Sequence, residues 1–120
     1  MTEGSGHLNV AVTGDGIIIA ELADRKVLDE MSISQIGDQL SAMVVESESP
    51  KLVLDFSAVS QMSSSALGML ITVHKRIREK RGQLRLCGIQ PSIYEVFVIT
   101  RINEILQICP TRQEAIDSLT

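Results

Sequence analysis

The chain opens with alternating apolar and polar positions, which is the pattern of a half-buried β-strand. Residues 8–13 (LNVAVT) alternate, residues 14–16 (GDG) provide turn chemistry, and residues 17–22 (IIIAEL) form an apolar run. Two such runs around a glycine-containing turn predict a β-hairpin. Residues 1–7 are polar and show no comparable pattern, so we expect them to be flexible.

The next segment changes from alternation to the spacing of an amphipathic helix. Asp29 and Ser32 precede it as possible N-caps. Its apolar positions are Ile33, Ile36, Leu40, Met43 and Val44. Residues 49–50 (SP) end this helix, and residues 52–56 (LVLDF) follow as a buried type of strand that carries one acidic residue, Asp55.

A second amphipathic helix follows three consecutive serines. Residues 61–65 (QMSSS) lead into residues 66–81, and Gly82 is the predicted C′ residue beyond the helix. The apolar stripe consists of Leu67, Leu70, Ile71, Val73 and Ile77. The serines therefore lie at a junction between a strand and a helix.

Two further strands are predicted at residues 84–89 (LRLCGI) and 105–109 (ILQIC). Each is followed by a segment in which a Ser or Thr precedes a Glu by three residues, the capping-box pattern of a helix start. These pairs are Ser92 with Glu95 and Thr111 with Glu114. The order ββαβαβαβα predicts one α/β domain over residues 1–120, with its core at about 8–119. We expect a mixed sheet of about four or five strands and about four helices, with Leu54 and Leu86 buried.

Composition narrows the choice of partner. The chain has 120 residues, a formal net charge of −4, one Tyr, two Phe and no Trp. An acidic chain with so few aromatic side chains is not suited to nucleic acid or anionic lipid, so we expect a protein partner. If the chain is a binding switch, we expect a monomer or weak homodimer. No signal-peptide pattern and no long apolar run is present, so we expect a soluble, cytoplasmic chain without membrane insertion. Cys87 and Cys109 lie in apolar runs outside any CxxC pair and are predicted to be reduced core residues.

The three serines are the one feature beyond a generic α/β domain. A helix N-terminus favours an anion by ~0.3–1 kcal/mol, so a phosphate on a serine would suit this position and change the surface charge. The simpler interpretation is that the serines cap the helix. Neither His7 nor His74 has metal-ligand neighbours, and no nucleophile has a base beside it. We therefore predict no metal, no cofactor and no enzymatic activity.

Three segments together resemble the sulfate-transporter and anti-sigma-antagonist (STAS) family. They are residues 52–77 (LVLDFSAVSQMSSSALGMLITVHKRI), 81–89 (RGQLRLCGI) and 91–106 (PSIYEVFVITRINEIL). The family's Asp-Ser-Ser/Thr-Gly-Leu-Gly signature at the second helix reads SSSALG here, over residues 63–68. Ser63 stands in place of the signature Asp, and Ala66 stands in place of its first Gly.

The resemblance implies an anti-sigma factor antagonist that binds a serine-kinase anti-sigma factor of the histidine-kinase-like ATPase fold. It places the phosphoacceptor at Ser64, with Ser63 and Ser65 as alternates that would otherwise support the site. Asp29, in the pair Leu28-Asp29, matches a family Asp near the phosphorylation loop. Asp55 ends the strand that leads into this loop. The alternative is an adaptor or scaffold subunit of a stress-signalling or lipid-transport complex that is never phosphorylated.

Overall fold

The computed structural model describes the backbone of residues 2–5 and 7–119 and the side chains from His7 onward. The strands are β1 (Thr2–Ser5), β2 (Leu8–Val12), β3 (Ile18–Leu22), β4 (Lys26–Val27), β5 (Lys51–Asp55), β6 (Gln61–Met62), β7 (Gln83–Cys87) and β8 (Ile108–Cys109). The helices are α1 (Glu30–Glu46), α2 (Ser64–Glu79), α3 (Pro91–Ile99) and α4 (Arg112–Asp117), with a turn of 3-10 helix at Ile102–Glu104.

Six strands form one mixed sheet in the order β1-β2-β3-β5-β7-β8. The first three are antiparallel, and β3, β5, β7 and β8 are parallel. The predicted hairpin is confirmed as β2 and β3, and the predicted α/β class with a mixed sheet and four helices is confirmed. In place of the flexible segment expected at residues 1–7, β1 pairs with β2 along the sheet edge.

The two faces of the sheet carry unequal layers. Buried side chains of α1, α2 and α3 pack on one face with Leu54 and Leu86, which are register partners on β5 and β7 and are both fully buried, as predicted. On the other face, Ala115 and Leu119 from the α4 region cover a smaller cluster with Val53. The face to which a strand residue points therefore decides whether its side chain contacts α1, α2 and α3 or contacts α4.

A second sheet has two strands of two residues each, and it connects the segments that precede α1 and α2. Strand β4 pairs in parallel with β6, so Val27 lies beside Met62. The backbone N–H of Ser63 also donates to the Val27 carbonyl at 3.0 Å. Because α1 begins three residues after β4 and α2 begins two residues after β6, both helices start at the same edge of the domain.

The end of α2 differs from the prediction. The residue in the left-handed C′ position is Arg81, with φ 58°, rather than Gly82. The N–H of Gly82 donates to the Ile77 carbonyl at 2.8 Å and that of Arg81 to the Arg78 carbonyl at 2.9 Å, which is a Schellman motif. Gly82 is needed for a different reason, since a Cβ there would lie 2.3 Å from the carbonyl oxygen of Pro50.

Of the two capping boxes predicted from the sequence, one N-cap is confirmed and the other is wrong. Thr111 caps α4 by accepting the N–H of Glu114 at 3.2 Å, as expected. The Ser92 capping box is wrong, because the N-cap of α3 is Gln90 and makes no side-chain capping bond. Pro91 occupies the first helical position, which is suited to a residue without an N–H. Ser92 consequently lies one residue inside the helix, too late to cap it.

Candidate functional site

The serine cluster lies at the start of α2, as predicted. Ser63 is the N-cap, with extended backbone angles, and its Oγ accepts the N–H of Ala66 at 3.3 Å. Ser64 and Ser65 are the first two residues of the helix, and both are exposed. Within the described part of the chain, their hydroxyl groups make no hydrogen bond. The cap and the exposed hydroxyls are thus different serines.

The loop before this cluster is held by backbone bonds to the segment before α1. The Arg25 carbonyl accepts the N–H of Ser60 at 2.7 Å and that of Gln61 at 3.2 Å. The Ser60 hydroxyl donates to the same carbonyl at 3.1 Å. Together with the β4–β6 pair, these bonds give Ser64 a fixed position rather than a place on a free loop.

Asp29 caps the neighbouring helix at the same edge. One of its carboxylate oxygens accepts the backbone N–H of Ser32 at 2.9 Å and the Ser32 hydroxyl at 3.1 Å. These hydrogen bonds hold the pKa of Asp29 below its ordinary value, so the carboxylate is ionised at neutral pH. The predicted N-cap role is confirmed. Among the described residues, no hydrogen bond connects Asp29 to the serines.

The surface around these helix starts is partly apolar. Met31 in the first turn of α1 is 70% exposed and Leu28 is 45% exposed. A shallow groove of about 180 Å³ runs between α1 and α2, and its lining residues include Gly37, Asp38, Met69 and Arg76. Gly37 permits the close approach of the helices, since a Cβ at that position would lie 3.0 Å from Met69 Cγ. Exposed hydroxyls, the carboxylates of Asp29 and Glu30, and apolar side chains therefore share one edge, a composition suited to a protein partner.

Asp55 lies elsewhere, on the face of the sheet that α4 covers. It is 4% exposed. One oxygen accepts the Ser57 N–H at 2.8 Å and the Ser57 hydroxyl at 2.5 Å, and the other accepts Arg112 Nε at 2.8 Å and forms an ion pair with Arg112 Nη2 at 2.7 Å. Burial raises the pKa of Asp55, but the bonds from Ser57 and Arg112 outweigh it, so the pKa lies below its ordinary value. The structure does not bring Asp55 into contact with the serine cluster.

Arg112 is a residue that the sequence analysis missed. Glu21 and Asp55 are register partners on β3 and β5, so two carboxylates lie side by side on one face. Arg112, the first residue of α4, bonds Glu21 at 3.1 Å as well as Asp55. An acidic residue in a buried strand signals that a cation or donor must face it, but only the packing of α4 shows which residue does so.

Gly88 completes this arrangement. Its φ of +67° is unfavourable for other residues, and a Cβ there would lie 2.4 Å from Ser57 Oγ and 2.9 Å from Asp55 Oδ1. The turn after β7 can therefore pass close to the Asp55 carboxylate only with glycine at this position. Asp55, Ser57, Gly88 and Arg112 thus form a cluster that connects β5, β7 and α4 and stabilises the fold.

Comparison with known proteins identifies the family. The STAS domain family model matches residues 11–115. BtrV of Bordetella bronchiseptica, named as a candidate anti-sigma factor antagonist, is 32% identical over 84% of this chain and 84% of its own length. The anti-sigma-B factor antagonist of Listeria monocytogenes is 26% identical over 85% of this chain and 78% of its own. The chain belongs to the STAS domain family.

Solved structures show the same fold. An anti-sigma-factor antagonist (STAS) domain protein from Planctomyces limnophilus superposes with a TM-score of 0.84 at 24% identity, covering 93% of this chain and 97% of that one. The Bacillus cell fate determinant SpoIIAA in its phosphorylated form gives a TM-score of 0.70 at 17% identity, covering 94% and 99%. Within the described residues, no helix has the length and apolar character needed to cross a membrane.

Proposed function

We propose that this protein is an anti-sigma factor antagonist that binds a serine-kinase anti-sigma factor and is switched off by phosphorylation of Ser64. The observation that carries the proposal is the exposed Ser64 hydroxyl in the first turn of α2, which makes no hydrogen bond within the described residues. Relatives named for the same role support it. Binding to the anti-sigma factor and release from it would take place in the cytoplasm, and this chain would catalyse no reaction.

The three serines are not equivalent as acceptors. Ser63 is half-buried and its Oγ already accepts the N–H of Ala66 as the N-cap, so it is less accessible to a kinase than the two exposed serines. Ser64 and Ser65 are both exposed, and the match to the family signature favours Ser64 over Ser65. Ser and Asp are both good N-caps. The replacement of the signature Asp by Ser63 therefore conserves the capping geometry.

The switch would act through charge. Phosphate adds about two negative charges, and the positive end of the α2 dipole tolerates them without unfolding the helix. The Asp29 carboxylate already lies at the same edge, so the local charge becomes strongly negative. A partner that contacts Met31 and Leu28 would meet this charge at its interface. Charge introduced at a docking surface weakens binding and slows association with an acidic partner.

The second candidate is an adaptor of the same fold that is never phosphorylated. The observation in its favour is Ser63, because the family's Asp beside the acceptor is absent. A kinase that requires a carboxylate next to its target would then find none. The two candidates differ in whether Ser64 gains phosphate, which can be measured directly.

The test uses the purified chain and a serine-kinase anti-sigma factor of the histidine-kinase-like ATPase fold from the same organism. Mass spectrometry after incubation with ATP should find phosphate on Ser64, and Ser64→Ala should gain none. Ser64→Asp should remain folded and bind the kinase at least about tenfold more weakly, which corresponds to ~1.4 kcal/mol. Ser65→Ala is the matched control, because it alters the adjacent exposed hydroxyl and should change neither result. Ser63→Asp should retain binding and raise the rate of phosphorylation at Ser64.

The outcomes separate the two candidates. Phosphate found only on Ser63 or Ser65 would move the acceptor to that residue. If no serine gains phosphate and Ser64→Asp binds as tightly as the parent, the phosphorylation switch is wrong and the adaptor remains. Stoichiometric co-purification with a larger complex would then be expected.

A further inference from the structure

The two cysteines of the chain are register partners on neighbouring strands. Cys87 ends β7 and Cys109 ends β8, and the two strands pair in parallel at these residues. Register partners in a sheet point to the same face. Both side chains accordingly belong to the cluster beneath α4, in which Ala115 and Leu119 cover the sheet. Twenty-one residues separate the cysteines in the sequence, so only the topology brings them together.

The spacing of their strands meets the separation that a disulfide bond requires, although the two side chains leave the sheet in parallel. Neighbouring strands lie about 4.8 Å apart, and disulfides connect residues whose Cα atoms are roughly 4.4–6.8 Å apart with side chains directed to one another. Both cysteines are free thiols in this structure. Joining them requires the two side chains to turn toward one another, and both cysteines are the last residues of their strands, where the backbone is least restrained by further pairing.

The two thiols differ in access. Cys87 is fully buried, and burial followed by the nearby Asp55 carboxylate raises its pKa to about 12. Cys109 is partly exposed and lines an open cavity of about 270 Å³ together with Ile89, Tyr94 and Pro110. An oxidant from solution therefore reaches Cys109 first, because thiol reactivity depends on access and on the thiolate form.

We propose that Cys87 and Cys109 are a reversible redox pair that closes to an intramolecular disulfide when hydrogen peroxide reaches Cys109. The Cys109 thiolate attacks one peroxide oxygen, which breaks the O–O bond, forms a sulfenic acid and releases hydroxide. The Cys87 sulfur then attacks the Cys109 sulfur, loses its proton and displaces the hydroxyl group, which leaves as water. The sum is two thiols and one peroxide giving one disulfide and two waters.

The bond would fasten an edge that is otherwise weakly held. Strand β8 is two residues long and pairs with β7 at Ile108 and Cys109, and α4 follows three residues later. A cross-link at Cys109 would restrain β8 and, with it, the start of α4 that carries Arg112. The proposal does not depend on Ser64 or on any partner.

The experiment treats the folded full-length chain with hydrogen peroxide and measures its mass and its free thiols after denaturation. We expect both thiols to disappear, the mass to fall by about 2 Da, and a thiol reductant to reverse both changes. The melting temperature of the oxidised chain should exceed that of the reduced chain by at least about 4 °C. Before oxidation, an alkylating reagent should label Cys109 in the folded chain and leave Cys87 unlabelled.

Cys109→Ser and Cys87→Ala are the matched controls, each checked for folding by circular dichroism. Neither should form the cross-link, and Cys87→Ala should instead carry a sulfenic or sulfinic acid on Cys109. Three results in the parent chain would overturn the proposal: two free thiols after peroxide, Cys109 oxidised to sulfinic acid without a cross-link, or disulfides found only between two chains.

Discussion

Replacing Asp55 by Asn tests whether the Asp55–Arg112 pair holds α4 to the sheet. The substitution retains the shape of the side chain but removes its charge. Asp55 is 4% exposed, accepts three hydrogen bonds, two from Ser57 and one from Arg112 Nε, and is ion-paired with the Arg112 guanidinium. Breaking one partner of a buried pair costs ~3–5 kcal/mol. Because the Arg112 side chain is 42% exposed and can be partly rehydrated, we expect a loss of about 3 kcal/mol, at the lower end.

Glu21→Gln is the matched control. It removes the other carboxylate bonded by Arg112, at a distance of 3.1 Å. The Glu21 side chain is 37% exposed, and exposed ion pairs contribute at most about 1 kcal/mol. Both variants remove a carboxylate that contacts the Arg112 guanidinium, and the deeper burial of Asp55, together with its bonds from Ser57, predicts the larger loss for Asp55→Asn.

Urea denaturation followed by circular dichroism gives both free energies of unfolding. The pH dependence supplies a second measurement. Because the pKa of Asp55 is lowered in the folded chain, its contribution to stability is present above the unfolded value near 3.8 and is lost as pH falls through the folded value. The parent should therefore lose stability in acid more steeply than Asp55→Asn. Equal stabilities for Asp55→Asn and Glu21→Gln, or equal acid slopes for parent and Asp55→Asn, would refute this reasoning.

Three further substitutions probe the core, a turn and a surface pair. Leu70→Ala removes a fully buried side chain of α2 and should cost ~2–5 kcal/mol, so an unchanged melting temperature would show that the stripe was misassigned. Gly82→Ala should lower the free energy of unfolding measured in urea, because its Cβ meets the Pro50 backbone. Gly14→Ala is the control and should leave this free energy nearly unchanged, because a Cβ at that exposed position has open space. Hydrogen bonds to Asp24 and Gln35 raise the pKa of His7. Up to about 1 kcal/mol of stability, present below pH 6.5, should therefore be lost as pH rises through the folded value. Asp24→Asn should reduce this pH dependence, because it removes the largest cause and leaves the Gln35 bond.

Local signals in the chain were sufficient for most of the elements and for the position of Ser64. Apolar alternation marked β2 and β3, and the helical stripe marked α2, because burial of one face imposes a period on the sequence. The serine run marked the start of α2, because capping chemistry is local. These features are determined by interactions between residues that are close in the sequence, so the sequence pattern and the structure agree.

Other features depend on contacts between distant residues and carry no local pattern. The two-residue strands β4 and β6 are too short to show a period, yet they bring the starts of α1 and α2 to one edge. The need for Gly82 comes from Pro50, and that for Gly88 comes from Ser57 and Asp55. Asp55 ends the strand before the serine loop. Because side chains alternate along a strand, it points to the face covered by α4 and not to the face covered by α1 and α2, and α4 places Arg112 beside it. The pairing of Cys87 with Cys109 likewise follows from the register of parallel strands, which is set only when the whole sheet assembles.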